Sequence, residues 1–405
     1  EGAPFDLKRY NFPSKLPDSF DLDFCSPEII QRMSVQDGRI VLPNGVSYRF
    51  LEVVPQRLTL PTARKIEALR KAGATIYTRQ PILGPSSLVG YPESDQEMKG
   101  LTKNWPQLPA SGWGPIIAKH NYPPNFEGGP IRWVHRQTPT ADIYFVANTE
   151  YKAVSQSCVF RVSGKIPELW DAETGHRYPV AYEQLDDGRT RIQIDFEPAR
   201  SWFVVFRDES TATPGNPFAQ FQKIKELDLP WDVRFDPDWG SDQAFRFTSL
   251  EDWSKASDPL VKYYSGTASY QTSFKLDQLP GEPIYIDLGR VEVVASVRLN
   301  GKDLGVSWKP PHRFATGDAL KAGENILEVK IANTWVNRLV GDEQLPLDSK
   351  WKDPTTLLEW PKWFPNMEKR PSGRYTFTTA RHYNKKSKLQ PSGLLGPVRL
   401  VTEKK

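Results

Sequence analysis

The chain has 405 residues, of which 25% are charged and 38% hydrophobic, and its formal net charge at pH 7 is +4. This is the composition of a globular protein with room for about two to four domains, and it excludes the concentrated basic face that nucleic-acid binding requires. Two cysteines, Cys25 and Cys158, exclude a disulfide framework or a cysteine zinc site, and both are expected to be buried.

Residues 1–110, the first part, are predicted to form an incomplete α/β unit of the flavodoxin-like kind. A helix is expected to begin at Pro27, and RIVL and VSYRFLEVV are expected to pair across a PNG turn. A second helix runs from Pro61 to Gly73 and leads into the strand ATIYT. Two parallel strands are too few for a sheet whose faces and edges must be covered, so we expect strands to be missing from this unit.

Residues 111–210, the second part, change to a pattern of short alternating strands. They include DIYFVANT, RTRIQIDF and SWFVVFR, with the hairpin turn LDDG at 185–188. This pattern predicts a small β-sandwich.

Residues 211–405, the third part, contain further strands separated by longer excursions. LNGKDLG holds an Asn-Gly turn between two strands, which is a strong hairpin signal. We predict a galactose-binding-like jelly roll here, so the whole chain is predicted to be multidomain and mainly β.

One region of the third part combines aromatic and polar side chains at high density. Its members are Trp308, Trp335, Asn337, Arg338, Asp342, Trp351, Trp360, Trp363 and Phe364. A sugar site needs an aromatic platform with a few polar groups, so these residues are candidates for carbohydrate binding or for docking onto another domain. The alternative is that the tryptophans fill the core of the sandwich.

No catalytic or metal-binding constellation is visible in the sequence. There is no H-E-x-x-H, no G-x-S-x-G and no glycine-rich phosphate loop, and His135 and His312 are expected to be structural. Glu359 and Asp342 lie beside the aromatic loops as isolated acids, whereas glycoside hydrolysis needs a matched pair. We therefore assign no catalytic residue, no metal site and no cofactor to this chain.

The third part resembles the sugar-binding jelly-roll module of β-galactosidase-type glycoside hydrolases. SGTASYQTSF, IDLGRVEVVASVRLNGKDLGVSWKPPHRFATGD and the closing SGLLGPVRL bear this resemblance. Together with FDLDFCSPEIIQRMSVQDGRIVLPNG in the first part and HRQTPTADIYFVANT in the second, they make the whole chain resemble the C-terminal portion of glycoside hydrolase family 106, the α-L-rhamnosidases.

The resemblance implies an accessory role in a rhamnosidase acting on plant or algal polysaccharide. The family holds its catalytic carboxylates in a preceding (β/α)8 barrel of roughly 250 residues, which this sequence does not contain. The chain alone is therefore expected to be inactive, and its expected partners are carbohydrate and that barrel.

By the same resemblance, the parent protein would use calcium and would be secreted or periplasmic. The first residues, EGAPFDLKRY, have no signal-peptide core, and no run approaches the ~18 apolar residues of a membrane span. The alternative function is a stand-alone, non-catalytic carbohydrate-binding protein. A structural scaffold is a third possibility, and the absence of repeats argues against it.

Overall fold

The computed structural model describes residues 16–17, 19–20, 22–213, 215–279, 281–365, 368 and 370–404. The chain is mainly β and multidomain, as predicted, with separate hydrophobic clusters in its three parts. Among the described residues, no helix is both long enough and apolar enough to cross a membrane.

The first part alternates short strands and helices. Its elements are α1 (Pro27–Arg32), β1 (Ser34–Gln36), β2 (Arg39–Val41), β3 (Ser47–Tyr48), β4 (Phe50–Val53), β5 (Arg57–Leu58), α2 (Leu60–Lys71), β6 (Thr75–Thr78), β7 (Gly84–Pro85) and α3 (Glu93–Thr102). α2 begins one residue before Pro61, where Thr59 caps it by accepting a hydrogen bond from the Thr62 backbone N–H. Gly73, at a φ of +101°, ends it.

Parallel pairing in the first part is limited, as predicted. β4 pairs with β6 and β5 with β7, and one further parallel bridge joins Thr78 to Gln107. Within residues 22–110 no sheet reaches five strands. The apolar face of β4 and β6 is covered by the segment that leads into α4 (Gly114–Lys119), because Trp113 contacts both Phe50 and Tyr77. Residues beyond 110 thus pack on the first part. The domain boundaries predicted at residues 110 and 210 stay a prediction.

The second part is two antiparallel sheets around one core, in agreement with the predicted β-sandwich. Its strands are β8 (Phe126–Glu127), β9 (Arg132–Gln137), β10 (Asp142–Ala147), β11 (Val154–Phe160), β12 (Ile166–Trp170), β13 (Arg177–Pro179), β14 (Tyr182–Gln184), β15 (Thr190–Phe196) and β16 (Ser201–Arg207). The sheet orders are β13-β12-β16-β10-β9 and β14-β15-β11-β8. Between them, Tyr144 packs edge to face on Phe160 and on Phe206, and the rings of Phe160 and Phe206 are tilted against each other.

The cysteines differ from the expectation in one case. Cys158 on β11 is fully buried in this core, whereas Cys25 is exposed. Cys25 precedes α1, a helix with no fully buried residue, so no packed layer covers it.

The third part is also built from two antiparallel sheets that share one large core. Its elements are β17 (Phe221–Glu226), β18 (Trp231–Arg234), β19 (Ala244–Phe247), α5 (Pro259–Lys262), β20 (Thr267–Leu276), β21 (Ile284–Asp287), β22 (Arg290–Glu292), β23 (Val294–Leu299), β24 (Lys302–Ser307), β25 (Arg313–Ala315), β26 (Gly323–Ala332), α6 (Val336–Asp342), β27 (Trp351–Asp353), β28 (Thr356–Leu357), β29 (Gly393–Gly396) and β30 (Arg399–Glu403).

The sheet orders of the third part are β17-β30-β21-β25 and β19-β18-β20-β26-β23-β24. β20 alternates strictly between exposed and buried residues, so one face of the longer sheet lies on the core. The predicted jelly-roll topology stays a prediction. Two connections matter for the site: the loop between β24 and β25, and the long excursion between β26 and β29.

Candidate functional site

The excursion, residues 333–392, leaves the sheet at the end of β26 and returns at β29. Asn333 fixes both of its ends. Its side-chain amide donates to the Tyr264 carbonyl oxygen (2.9 Å) and to Ser392 Oγ (3.0 Å), and its Oδ1 accepts from the Gly266 backbone N–H (3.0 Å). The strand therefore leads into a connection that is closed on itself by side-chain hydrogen bonds.

Asn337 on α6 binds the far end of the excursion. Its Nδ2 donates to the Gln390 carbonyl oxygen (2.8 Å) and to Ser392 Oγ (3.0 Å), and its Oδ1 accepts from the Gln390 backbone N–H (2.8 Å). One buried side chain thus replaces the backbone pairing that this segment lacks.

Arg338 and Asp342 bind the middle of the excursion. Asp342 accepts hydrogen bonds from the backbone N–H groups of Tyr375 (3.0 Å) and Thr376 (2.6 Å) and from the Thr376 hydroxyl. Arg338 donates to the Trp239 carbonyl oxygen (2.6 Å), and its guanidinium group lies 4.3 Å above the Tyr375 ring.

These three polar residues are buried, and their assignment to carbohydrate binding or domain docking stays a prediction. Asn337, Arg338 and Asp342 are 1%, 4% and 2% exposed. Their polar groups bond within the chain because the excursion has few regular backbone pairs of its own, and side chains from α6 supply the partners.

Trp335 belongs to an aromatic surface that we call the end patch, formed by Trp239, Trp335 and Tyr375. The rings of Trp239 and Trp335 meet edge to face at 5.5 Å, and Trp239 lies 6.0 Å from Tyr375. All three are exposed, Trp335 by 52%. The end patch thus joins one predicted residue with two that the sequence analysis missed.

Trp360 and Trp363 belong to a second aromatic surface, the excursion patch, which also contains Phe364 and Phe377. Trp360 stacks on Phe364 at 5.0 Å, and Phe377 contacts Phe364 at 4.8 Å and Trp363 at 5.3 Å. Trp360 is 58% exposed. No ring contact joins this patch to the end patch within the described residues.

Trp351 lines a small cavity next to α6 that contains paired charges. Glu343 pairs with Arg374 (3.0 Å) and Arg381, and Asp348 pairs with Arg370 (2.9 Å). Burial opposes ionisation of Glu343, but its hydrogen bonds from the two arginines outweigh burial and lower its pKa. The ion pairs in and around this cavity therefore hold the conformation of the excursion.

Trp308 lies apart from both patches, on the loop between β24 and β25. It lines a groove between the third part and Glu173 of the second part. Lys309, the next residue, pairs with Glu173 at 2.9 Å, and Arg313 pairs with Glu197 at 3.1 Å. The structure therefore distributes the predicted site residues over three places and buries three of them.

The two histidines singled out in the sequence have the structural contacts expected of them. His135 Nε2 lies 3.0 Å from Asp142 Oδ1, and its ring stacks on Tyr144 at 4.1 Å. His312 is 2% exposed and lies 3.0 Å from Ser307 Oγ, and burial lowers its pKa to about 4.

The acidic groups do not have the electrostatics of a glycosidase pair. Every described carboxyl group whose pKa departs from its ordinary value is lowered; these are Glu28, Glu67, Glu97, Asp142, Glu168, Asp171, Asp187, Glu226, Asp318, Glu343, Asp348, Asp353 and Glu359. A general acid requires a raised pKa. Glu359, which precedes Trp360 in the sequence, is exposed and pairs with Lys350 at 2.9 Å.

The residues that the structure describes contain no group of three or more His, Cys, Asp or Glu side chains placed to hold a metal ion. The buried acids already bind arginine, lysine, histidine, backbone N–H groups or hydroxyl groups. They therefore do not fit a calcium ion, which needs six to eight oxygen ligands.

Sequence reasoning missed the aromatic partners Trp239, Tyr375 and Phe377. The missed residues of the Trp308 groove are Glu173, Lys309 and Arg313. Tyr375 and Phe377 alternate in RYTFTT, a local signal that their side chains share one side of the chain. Trp239 and Glu173 have no such signal, because each meets its neighbours through contacts that are remote in sequence.

Comparison with known proteins gives matches to α-L-rhamnosidases. Residues 6–184 match the model of the glycoside hydrolase 106 family, described as alpha-L-rhamnosidase. The structure of a rhamnosidase from Novosphingobium sp. PP1Y matches 92% of this chain and 35% of that one, with a TM-score of 0.66 and 29% identity. A putative beta-glucuronidase of Formosa agariphila is 44% identical over 173 residues, which is 42% of this chain. The chain spans 15% of the length of that protein.

Proposed function

Because residues 6–184 match the glycoside hydrolase 106 family and nearly the whole chain is similar to a solved rhamnosidase, we propose that it is the accessory C-terminal part of a glycoside hydrolase whose catalytic barrel lies outside it. The observation that supports this most is the match of nearly the whole chain to about a third of a solved rhamnosidase. The substrate we propose is a rhamnose-containing plant or algal polysaccharide, and the location is secreted or periplasmic.

The state of the carboxyl groups supports the accessory role. Hydrolysis needs one acid that stays protonated near neutral pH beside a second that is ionised. Among the described residues, hydrogen bonds from arginine, hydroxyl or backbone N–H groups lower the pKa values of Glu168, Glu343 and Asp348. Such groups cannot donate a proton to a leaving oxygen. We place the acid–base pair, and any calcium, in the barrel.

The proposal is tested by activity assays on the purified chain with an aryl α-L-rhamnoside and an aryl β-D-glucuronide. We expect no release from either substrate, and release of rhamnose once a family 106 barrel precedes the chain in one polypeptide. Release by the chain alone, abolished by Glu359→Gln, would place the active site here and contradict the proposal.

A stand-alone carbohydrate-binding protein is the second candidate function. The observation in its favour is the exposure of three tryptophans, Trp308, Trp335 and Trp360, each more than half exposed. Exposed aromatic surfaces on a globular chain usually mark binding or docking sites. If the barrel-linked polypeptide were inactive on both glycosides while the chain alone bound polysaccharide, this second function would be favoured.

A further inference from the structure

The groove beside Trp308 is open on one side and lies where the second and third parts meet. Glu173 lines it from the second part, and Val306, Trp308, Lys309 and Arg313 line it from the third. Trp308 and Val306 are 59% and 58% exposed, so two apolar side chains face solvent next to charged ones. The groove thus combines exposed apolar and charged side chains, whereas the cavity beside Trp351 contains buried ion pairs.

Trp308 is exposed on a loop that is fixed on both sides. Ser307 Oγ donates to the Lys309 carbonyl oxygen at 3.0 Å and lies 3.0 Å from Nδ1 of the buried His312. These bonds hold the backbone before and after the tryptophan. An aromatic ring on a fixed loop loses little conformational entropy when a ligand stacks on it.

The charges around the groove compensate one another. Lys309 faces Glu173 at 2.9 Å, and Arg313 faces Glu197 at 3.1 Å and Asp287 at 3.5 Å. Arg200 adds a further cation 3.7 Å from Glu173. Arg200 also pairs with Asp171 at 2.9 Å. Three cations therefore face four carboxylates, so the groove has no surplus positive charge for an acidic ligand.

The paired groups still have hydrogen-bonding capacity. An ammonium group has three donors and a carboxylate about four acceptor positions, and the contact between Lys309 and Glu173 uses one of each. A flat indole face beside free donors and acceptors is what a pyranose ring requires, since a sugar has an apolar C–H face and a rim of hydroxyl groups.

We propose that this groove binds one neutral pyranose unit, with its apolar face on Trp308 and its hydroxyl groups on Lys309 and Glu173. The site is non-catalytic and holds a sugar of the polymer away from the bond that is cleaved. This role rests on the proposed function, but the binding itself is measured without any turnover, so its test does not depend on where hydrolysis occurs.

The test is saturation-transfer NMR and titration of the 405-residue chain with methyl α-L-rhamnopyranoside and methyl β-D-glucopyranoside, each compared with D-glucuronate. We expect saturable binding of at least one neutral glycoside with a Kd on the order of millimolar, about what one stacked ring with a few hydrogen bonds supplies. Trp308→Ala should weaken it at least about tenfold, and Trp308→Phe by less, because a smaller ring remains.

Tyr91→Ala is the matched control, since Tyr91 is a similarly exposed aromatic residue (64%) of the first part and belongs to no candidate site. It should bind the glycoside like the unchanged chain. Both alanine variants should keep the unfolding temperature of the parent, because neither ring is buried. Lys309→Met, which keeps the aliphatic stem, should weaken binding without abolishing it.

Four results would overturn the proposal. These are wild-type binding by Trp308→Ala, equal losses in Trp308→Ala and Tyr91→Ala, binding of glucuronate but of neither neutral glycoside, and no saturable binding of either neutral glycoside up to about 100 mM, a limit far above a millimolar Kd. Inactivity or activity of the chain in the glycosidase assays leaves this test unaffected.

Discussion

Glu168 is a fully buried carboxylate in the second part, and it accepts hydrogen bonds from four residues. Trp170 Nε1 (2.7 Å), Ser210 Oγ (2.8 Å), Arg207 Nη2 (3.0 Å) and the Thr211 backbone N–H all donate to it. Burial alone would raise its pKa, but these donors outweigh burial and lower the pKa to about 2.

The stability of the second part should therefore fall in acid. The unfolded chain takes up this proton near pH 4.3, whereas the folded chain resists protonation down to about pH 2. The contribution of Glu168 is thus complete above about pH 5 and declines as the pH falls towards 2. Glu168→Gln should lower the free energy of unfolding by about 3 kcal/mol at pH 7, and by much less at pH 2.

Denaturant unfolding of both proteins at several pH values measures this difference. Glu183→Gln is the control, since Glu183 pairs with Arg191 at the surface and its loss should cost less than about 1 kcal/mol. A difference between Glu168→Gln and the parent that stays constant from pH 7 to pH 2 would disprove the role given to the ionised carboxylate.

Asn337 is the second residue whose removal should be costly. Asn337→Ala takes away the partners of the Gln390 backbone N–H and carbonyl oxygen, and leaving such groups unpaired costs about 1–3 kcal/mol. We expect lower thermal stability and faster amide exchange near residue 390. Asn384→Ala, at an exposed turn, is the control. Equal exchange near residue 390 in the two variants would show that Asn337 does not hold the excursion.

At the scale of elements, α6 packs directly against the side chain of Tyr263, the residue that follows α5. A Cβ added at Gly341 would lie 2.5 Å from Tyr263 Cβ, which is closer than two carbon atoms can approach. Gly341→Ala should therefore destabilise the third part by about 1–3 kcal/mol, although alanine favours a helix more than glycine does.

Gly100 in α3 provides a matched control in a second helix. A Cβ there meets no atom within 4 Å, so Gly100→Ala should stabilise the chain by up to about 1 kcal/mol. Unfolding temperatures of the two variants check both signs. A stabilising Gly341→Ala would mean that α6 does not pack on Tyr263.

Elements that have a local signal in the sequence, such as a turn motif, could be predicted, whereas the structure of the excursion could not. Asn300 and Gly301 both have positive φ, as the Asn-Gly turn between β23 and β24 requires, and Gly188 closes the hairpin predicted at 185–188. α6 instead depends on Asn337, whose partner Gln390 lies 53 residues away. Polar residues in a loop therefore suggested an exposed surface, because no local pattern shows which distant backbone groups they satisfy.

At the scale of the whole molecule, ion pairs join the second and third parts. Lys309 pairs with Glu173 and Arg313 with Glu197, and both basic side chains are mostly buried. Lys309→Met should loosen this contact, and we expect amide exchange in residues 171–175 and 307–313 to rise by up to about fivefold, the equivalent of about 1 kcal/mol.

Lys302→Met is the control, because Lys302 pairs with Asp318 at the surface within the third part. It should leave exchange in both segments unchanged. If both variants gave the same exchange rates as the parent, the ion pair between the parts would contribute nothing to their association.

The order and class of the three parts were predictable because strand alternation and turn residues are local. The distribution of the aromatic residues over separate places on the surface was not predictable. Trp335 meets Trp239, and Trp308 lies beside Glu173 of another part, so each grouping depends on how whole parts pack. The cover of β4 and β6 by Trp113 was missed for the same reason.

The position of β30 has a consequence for how the third part folds. β30 lies between β17 and β21, and the contact between Arg399 and Glu226 joins residues 173 positions apart. Until so long a loop closes, β17 and β21 have unpaired edges, and closures of this length make folding slow. The half-formed sheet is the stage at which chains can associate through those edges, so synthesis of this protein should depend on chaperones that shield strands before β30 inserts.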